Sequence, residues 1–335
     1  MGESFTWRDG ERTVRFGAGA LAEAPALLAG SGFEGFVLLT TERAAEAAPE
    51  LVRAASDVLH VPLGKVDKVS AGLIEPAGTQ PLVAVGGGRV VDTAKAIAGA
   101  RGGPCAAVPT TLSGAEMTPF HRTPEGIAGA RMGRPRLVVA DPDLMASQPP
   151  TGLAASAMNA LAHAMEALYT PFANPLSELA ALRAAELIAA GLPEDPPDRE
   201  ALALGALLGG YAAGVAGIAV HHAVCQTIVR TAGTPHAQTN AVMLPHFAGL
   251  MSSRAPAVMG EFARALGDGA GDPDAAAGRT AKLAARCGHT RLSTLGVEEE
   301  QLGPAAAEAQ QHPALTNTPG APGEAELERV LRSAL

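Results

Sequence analysis

Four short runs rich in β-branched or small apolar residues, Gly35 to Thr40, Pro81 to Val85, Cys105 to Pro109 and Arg136 to Ala140, recur through the first 150 residues. Between them, Leu21 to Leu28, Ala44 to Ala55 and Val90 to Ala100 have the length and composition of helices. This alternation constrains the fold more than any other feature of the chain. Strands joined by helical crossovers pair in parallel, and a parallel sheet needs helices on both faces. From about Thr151 the β-branched runs stop, and Leu153 to Tyr169, Ser177 to Ala190 and Arg199 to Gly214 follow one another as helical stretches. The expected architecture is an α/β N-terminal domain with a mostly parallel sheet over 1–150, followed by an all-α domain over 151–335. The prolines from Asp141-Pro142-Asp143 through Pro149-Pro150 mark the boundary, because no periodic pattern crosses them. A second Pro-rich break, Leu192 to Pro197, separates only two helices.

Bulk properties narrow the class of partner. A chain of 335 residues with 47% apolar content can bury two cores. The formal charge of −9 argues against a nucleic-acid or anionic-membrane partner, either of which selects basic surface, and leaves a small molecule. Cys105, Cys225 and Cys287 are far apart and match neither a zinc spacing nor a disulfide framework, which fits a cytoplasmic protein. Met1 to Gly10 carries Glu3, Arg8 and Asp9 without an apolar run of signal length, so no export is expected. Ala201 to Val220 is apolar but broken by five glycines, and reads as buried helix instead of a membrane span.

Chemistry concentrates first at the end of the second run. Leu82-Val83-Ala84-Val85, then Gly86-Gly87-Gly88, then the helix from Val90 describe a strand, a tight turn and a helix N-terminus. Glycines there let the backbone approach an anion, and the first free N–H groups of the helix point at it. The same glycines also suit a close helix–strand crossing with no ligand. The next run is followed by Pro109-Thr110-Thr111-Leu112-Ser113-Gly114-Ala115-Glu116, whose hydroxyls suit phosphate or ribose, or alternatively a helix-capping turn. Two such loops on neighbouring strand ends favour a nucleotide site.

Chemistry concentrates again among the histidines. Asn159 and His163 are four apart on one helix and share a face; His221-His222 lie in a later helix, and Pro235-His236 in the loop expected after it. Were these helices to pack together, His163, His222 and His236 would converge with Asn159. Three imidazoles and an oxygen make a plausible divalent-metal shell, although the spacing matches no autonomous metal motif and ordinary polar packing is the alternative. His221 points elsewhere on its helix than His222, towards substrate or into the packing.

Over nearly its whole length the sequence resembles the iron-containing alcohol dehydrogenase family, and within it most closely the maleylacetate reductases. The matching stretches are Arg15-Phe16-Gly17-Ala18-Gly19, Gly86-Gly87-Gly88 with Asp92 to Ile97, Pro109-Thr110-Thr111 with Gly114 to Pro119 (including Thr118), and Asp141-Pro142. In the second half they are Met158 to Tyr169, His221-His222 with Cys225, Pro235-His236-Ala237, Leu244-Pro245-His246 and Asn317-Thr318-Pro319. The resemblance implies the dehydroquinate synthase-like fold of that family, with NAD or NADP and substrate in a cleft between the domains, and a homo-oligomer, a dimer at least. It gives Gly86, Gly87, Gly88, Arg89, Asp92, Thr110, Thr111, Ser113 and Thr118 a cofactor-binding role. Thr41 falls near the place where many relatives carry an acid for the adenosine ribose, and a neutral residue there leaves room for NADP. The implied activity is reduction of a small carboxylated carbonyl or enone, with His163, His222 and His236 donating hydrogen bonds to the substrate oxygen, Asn159 orienting one of them, and His221 and Gln226 nearby.

The chain departs from the family pattern at several of these positions. Asn159 replaces the aspartate of metal-dependent relatives, as it does in maleylacetate reductases, and loss of that carboxylate argues against a metal; Asn159, His163, His222 and His236 would hold one if it were bound. Gln226 replaces a histidine and cannot titrate. Arg89 stands where a serine is usual, and Val229-Arg230 where a glycine pair is usual. Arg89 either meets the pyrophosphate as a cation or fills its place. These changes keep open a non-redox biosynthetic enzyme, a lyase, cyclase or isomerase, on the same scaffold. A non-catalytic interaction protein is a third reading, against which the retained histidines and loops speak.

Overall fold

The computed structural model describes residues 4–335; Glu3, counted above among the N-terminal charges, lies outside them. Contacts divide the chain into two compact units, Met1–Gln148 and Pro149–Leu335.

The first unit runs β1 (Phe5–Asp9), β2 (Arg12–Phe16), α1 (Ala20–Gly30), β3 (Val37–Thr40), α2 (Glu42–Ala47), α3 (Pro49–Ala54), β4 (Asp57–His60), α4 (Val66–Leu73), β5 (Leu82–Gly86), α5 (Gly88–Arg101), β6 (Cys105–Pro109), β7 (Leu137–Ala140) and α6 (Pro142–Met145). Its seven strands form one sheet in the order β1-β2-β7-β6-β5-β3-β4. Only the β1–β2 hairpin is antiparallel, and every other pairing is parallel. Period-2 alternation sorts the strand residues between two cores. Leu38, Val83, Val85, Ala106, Val108, Leu137 and Val139 pack with Ala24, Leu28 and Leu51 of α1 and α3. Val37, Leu39, Leu82, Ala84, Cys105 and Ala107 pack with Val69 of α4 and Val91, Ala94 and Ile97 of α5. A sheet covered on both faces has no polar side, which is why these strands read as continuous apolar runs.

The sequence reading missed three strands and fused two helices. β1 and β2 turn through Gly10 at φ 61°, a conformation glycine adopts without strain. β4 is a half-exposed edge strand whose four residues carry little pattern. The helix expected over 44–55 is two, because Pro49 has no N–H to continue α2 and instead opens α3 at its first position.

The second unit contains no strand among its described residues. It comprises α7 (Pro150–Ala167), α8 (Pro175–Gly191), α9 (Arg199–Ala216), α10 (Val220–Ala232), α11 (His236–Ser252), α12 (Pro256–Ala265), α13 (Ala275–Ala284), α14 (Leu302–Ala309) and α15 (Glu324–Ala334), with short 3-10 turns. α7 is buried from Leu153 to Ala167. Small residues let α8 and α9 close around it: a Cβ on Gly209 would lie 2.7 Å from the Ala160 carbonyl oxygen, and one on Gly205 2.8 Å from Ile188. The glycines of 201–220 therefore serve helix packing. No single helix among the described residues is long and apolar enough to cross a membrane.

Candidate functional site

In the first unit, Gly86 ends β5, Gly87 precedes α5 in extended conformation, and Gly88 opens the helix. No side chain caps α5, so the head of a 14-residue helix is left to a ligand or solvent. The glycines are needed for close packing. A Cβ on Gly87 would stand 2.9 Å from Thr111 Cγ2, and one on Gly88 3.1 Å from Ser113 Cβ. The glycine turn and the hydroxyl-bearing loop after β6 are thus in direct contact, as the close-packing reading of the turn requires. Thr110 is buried and its backbone N–H donates to the Gly86 carbonyl at 3.0 Å, locking the second loop to the first.

Arg89, in the first turn of α5, is half-buried, and its Nε is buried with no hydrogen-bond partner among the described residues. A cation at a helix N-terminus opposes the helix dipole, so an anion at this head would relieve both unfavourable terms. Asp92 and Thr118 also contact Lys95. Asp92 pairs with Lys95 at 2.8 Å, and the wholly buried Lys95 ammonium donates to the carbonyls of Ala115, Thr118 and Phe120 at 2.8, 3.0 and 2.6 Å. Together they fasten α5 to the loop. Thr41 lies at the carboxyl end of β3, the strand beside β5, where its hydroxyl caps α2 by accepting the Ala44 N–H. Lys95 was not singled out from the sequence, although Asp92 and Lys95 at i,i+3 carry a recognisable ion-pair spacing.

In the second unit the site is built around the head of α10. α9 ends at Gly217, whose φ of 85° turns the chain, and α10 starts three residues later. Its first N–H groups are satisfied from elsewhere in the unit: Val220 donates to Thr318 Oγ1 at 3.1 Å, and His221 and His222 donate to Glu166 Oε1 at 2.7 and 3.3 Å. Glu166, on α7, thereby caps a helix distant in sequence, a favourable seat for a carboxylate. Its other oxygen lies 2.6 Å from His222 Nδ1. Glu166 was not expected here, yet Asn159, His163 and Glu166 at i, i+4 and i+7 share one face of α7, which the spacing could have shown.

The Glu166–His222 contact fixes the chemistry of the imidazole. Burial pushes His222 down to about 3, so the ring is neutral at physiological pH. Burial also raises the Glu166 carboxyl, but the His221 charge and the backbone N–H donors act the other way. With those donors on Oε1, an ionised Glu166 accepts at Oε2 as well and sets the single imidazole proton on Nδ1. Nε2 of His222 is then a lone pair, and it is buried with no hydrogen-bond partner among the described residues. In this tautomer His222 offers an acceptor at Nε2, and the donor role expected of it needs the proton on that nitrogen.

His163 stacks on His222, ring centroids 4.5 Å apart and planes 5° from parallel, and burial followed by the His222 charge holds it well below the usual imidazole range. His221 meets His222 edge-on at 5.0 Å and Phe247 edge-on at 5.6 Å, and its Nε2 lies 3.2 Å from the Asn240 carbonyl. It is wholly buried packing. His236 is not in a loop but is the first residue of α11, because Pro235 ends the extended segment and the helix begins directly after it. It acts electrostatically on both His163 and His222. Asn159 is buried on α7 one turn before His163. Gln226, one turn after His222, places its Oε1 3.2 Å from His312 Nε2. His312, another group acting on His222, carried no signal in the sequence, since it sits far along the chain before a 3-10 turn opened by Pro313.

Glu166, His221 and His222 offer atoms within 4.8 Å of one another. However, the Glu166 oxygens are engaged by His222 Nδ1 and the α10 head, and His221 Nε2 is on a carbonyl. Two parallel stacked rings also cannot both aim in-plane lone pairs at one ion about 2.0–2.1 Å from each nitrogen. With a neutral amide at Asn159 the set lacks the charged oxygen a hard divalent cation prefers, whereas His163 Nδ1 and His222 Nε2 are buried with no hydrogen-bond partner among the described residues, as open ligand atoms would be.

Both units match known proteins. Residues 15–149 match the family model for iron-containing alcohol dehydrogenase, and residues 153–335 that for the C-terminal part of the Fe-containing alcohol dehydrogenase family. The chain is 36% identical to a maleylacetate reductase of Sphingobium indicum over 320 residues, covering 90% of this chain and 89% of that one. It is 35% identical to maleylacetate reductase 2 of Cupriavidus pinatubonensis over 76% of each chain. Among solved structures, maleylacetate reductase from Agrobacterium tumefaciens superposes with a TM-score of 0.84 at 29% identity, covering 100% of this chain and 99% of that one.

Proposed function

From the premise that this chain belongs to the iron-containing alcohol dehydrogenase family and is a dehydrogenase or reductase, we propose that it reduces a small carboxylated carbonyl or enone, maleylacetate or a close analogue, with NADH or NADPH. The observation that carries the cofactor half of this reading is the uncapped head of α5, with the buried Arg89 Nε beside it. A dinucleotide pyrophosphate, or the 2′-phosphate of NADP, supplies the anion this arrangement calls for. Thr111 and Ser113, packed against Gly87 and Gly88, offer hydroxyls to the same ligand.

When bound, the reduced nicotinamide supplies the hydride. The protein's residues orient the substrate and answer the negative charge that collects on its oxygen. In this account His222 Nε2, held in its acceptor state by Glu166, receives a hydrogen bond from a hydroxyl or water at the substrate, and the Gln226 amide supplies a donor one turn away. Asn159 brings no charge to the histidine set, and no step of the proposed reaction is assigned to a metal. Fluorescence titration of the purified protein with NADH and NADPH tests the cofactor half: saturable binding of at least one is expected, and binding of neither overturns the proposal.

A further inference from the structure

We infer that His312 is a positioning residue that holds the Gln226 amide with its N–H bonds towards the face of α10 bearing His222, making Gln226 the hydrogen-bond donor to the substrate oxygen. The inference rests on the proposed reductase function and names the group that polarises the substrate.

Hydrogen-bond bookkeeping fixes each orientation. His312 stands directly before the 3-10 turn Pro313–Asn317, and its Nδ1 accepts the Ala314 N–H at 3.2 Å. A ring nitrogen that accepts an N–H carries no proton, so the neutral ring bears its proton on Nε2. That nitrogen lies 3.2 Å from Gln226 Oε1. The reverse amide would set two donors against each other, so Oε1 faces His312 and the NH2 group faces away from it. Gln226 and His222 are four apart on α10 and share a face. His222 Nε2 is the buried lone pair on that face. An amide donor one turn from an imidazole acceptor forms a complementary pair for an oxygen that gains negative charge and a neighbouring hydroxyl or water.

The arrangement also gives the Gln226 substitution a physical meaning. Where resemblance leads one to expect an imidazole at 226, this chain has an amide and carries an imidazole behind it, brought from the C-terminal segment by a contact spanning 86 positions. An unsupported glutamine would lose rotamer freedom on binding substrate, whereas one held by His312 has already lost it.

The test separates positioning from folding. His312→Asn keeps a side-chain acceptor for the Ala314 N–H, since asparagine is a good cap, but is too short to reach Gln226. The expected result is a roughly tenfold fall in kcat/KM, the size of one ordinary hydrogen bond, carried by kcat with KM and NAD(P)H affinity within about twofold. In a Gln226→Ala background the same substitution should have no further effect. Gln226→Glu, which keeps an acceptor for His312 but loses the donor, should be as impaired as Gln226→Ala. An equal fall from His312→Asn in both backgrounds, or an unchanged kcat/KM in the wild-type background, overturns the inference. If the wild type reduces no substrate, the reductase proposal fails, and imidazole NMR still decides the positioning. A His312 Nε2–H signal that moves on Gln226→Ala supports it; an unmoved signal, or a proton on Nδ1, overturns it.

Discussion

Replacing Glu166 by glutamine should reverse the polarity of His222. In the native arrangement the carboxylate accepts the backbone N–H groups of His221 and His222 on Oε1 and the imidazole Nδ1–H on Oε2. Glutamine can keep an oxygen on the two backbone donors, but its NH2 group must then face Nδ1. Two opposed donors are untenable in a buried site, so the imidazole proton moves to Nε2 and the lone pair to Nδ1. The nitrogen that accepts in the native protein becomes a donor. Exchange of the charge-assisted bonds costs about 1.5–3 kcal/mol, and loss of the charge at the α10 head about 0.3–1 kcal/mol, both partly offset because a buried carboxylate need no longer be desolvated. A net loss of about 1–3 kcal/mol is expected by denaturant unfolding. Reductase kcat should fall by about 10²–10⁴, the range associated with a misplaced proton in acid–base catalysis. Long-range imidazole NMR on histidine-labelled protein reads the tautomer directly. A wild-type His222 with its proton on Nε2, or Glu166→Gln at full kcat with the wild-type tautomer, would refute the reasoning.

Other perturbations have equally defined signs. Glu116 is wholly buried, burial raises it to about 7, and neither carboxylate oxygen has a hydrogen-bond partner among the described residues. The folded state therefore holds a proton that the unfolded chain releases above about 4.5, and stability falls from there to about pH 7, by about 3 kcal/mol in all. Glu116→Gln should match the wild type near pH 4.5 and be more stable by up to about that amount at pH 8, as read by urea unfolding; equal midpoints at pH 8 would rule out the buried ionisation. His221 and His222 work in the opposite direction: both are pushed down to about 3, so they are neutral when folded, while the unfolded chain protonates them below about 6.5. Stability should be lost as pH falls below 6.5, by about 1.4 kcal/mol per unit for each ring, and His222→Asn should flatten that slope. Arg89→Gln should weaken NAD(P)H about tenfold or more while leaving thermal stability equal or slightly higher, because a cation leaves a helix N-terminus; a stability loss with unchanged cofactor affinity would place Arg89 in the packing instead.

The sheet was legible where strands are buried on both faces, as at Val37–Thr40 and Leu82–Gly86, because nothing polar interrupts them. It was not legible at Asp57–His60, where a half-exposed edge strand needs little pattern. The hairpin at Phe5–Phe16 did carry a signal, Asp9-Gly10 between alternating residues, which went unread. At the histidine cluster the sequence identified the rings but not the partners that set the tautomer of His222. Tautomers depend on second partners, and those partners came from α7 and from the C-terminal segment. Glu166 could have been read from its spacing with Asn159 and His163. His312 could not, because only the fold brings it to Gln226.

The most direct test of the account is the reductase reaction itself, run on metal-analysed, chelator-treated protein with maleylacetate and either NADH or NADPH, following the absorbance of the reduced nicotinamide. The account predicts substrate-dependent oxidation of at least one cofactor, at a rate unchanged by chelator or by added ferrous or zinc ion. No oxidation with either cofactor, or activity that appears only when a metal is restored, would contradict it.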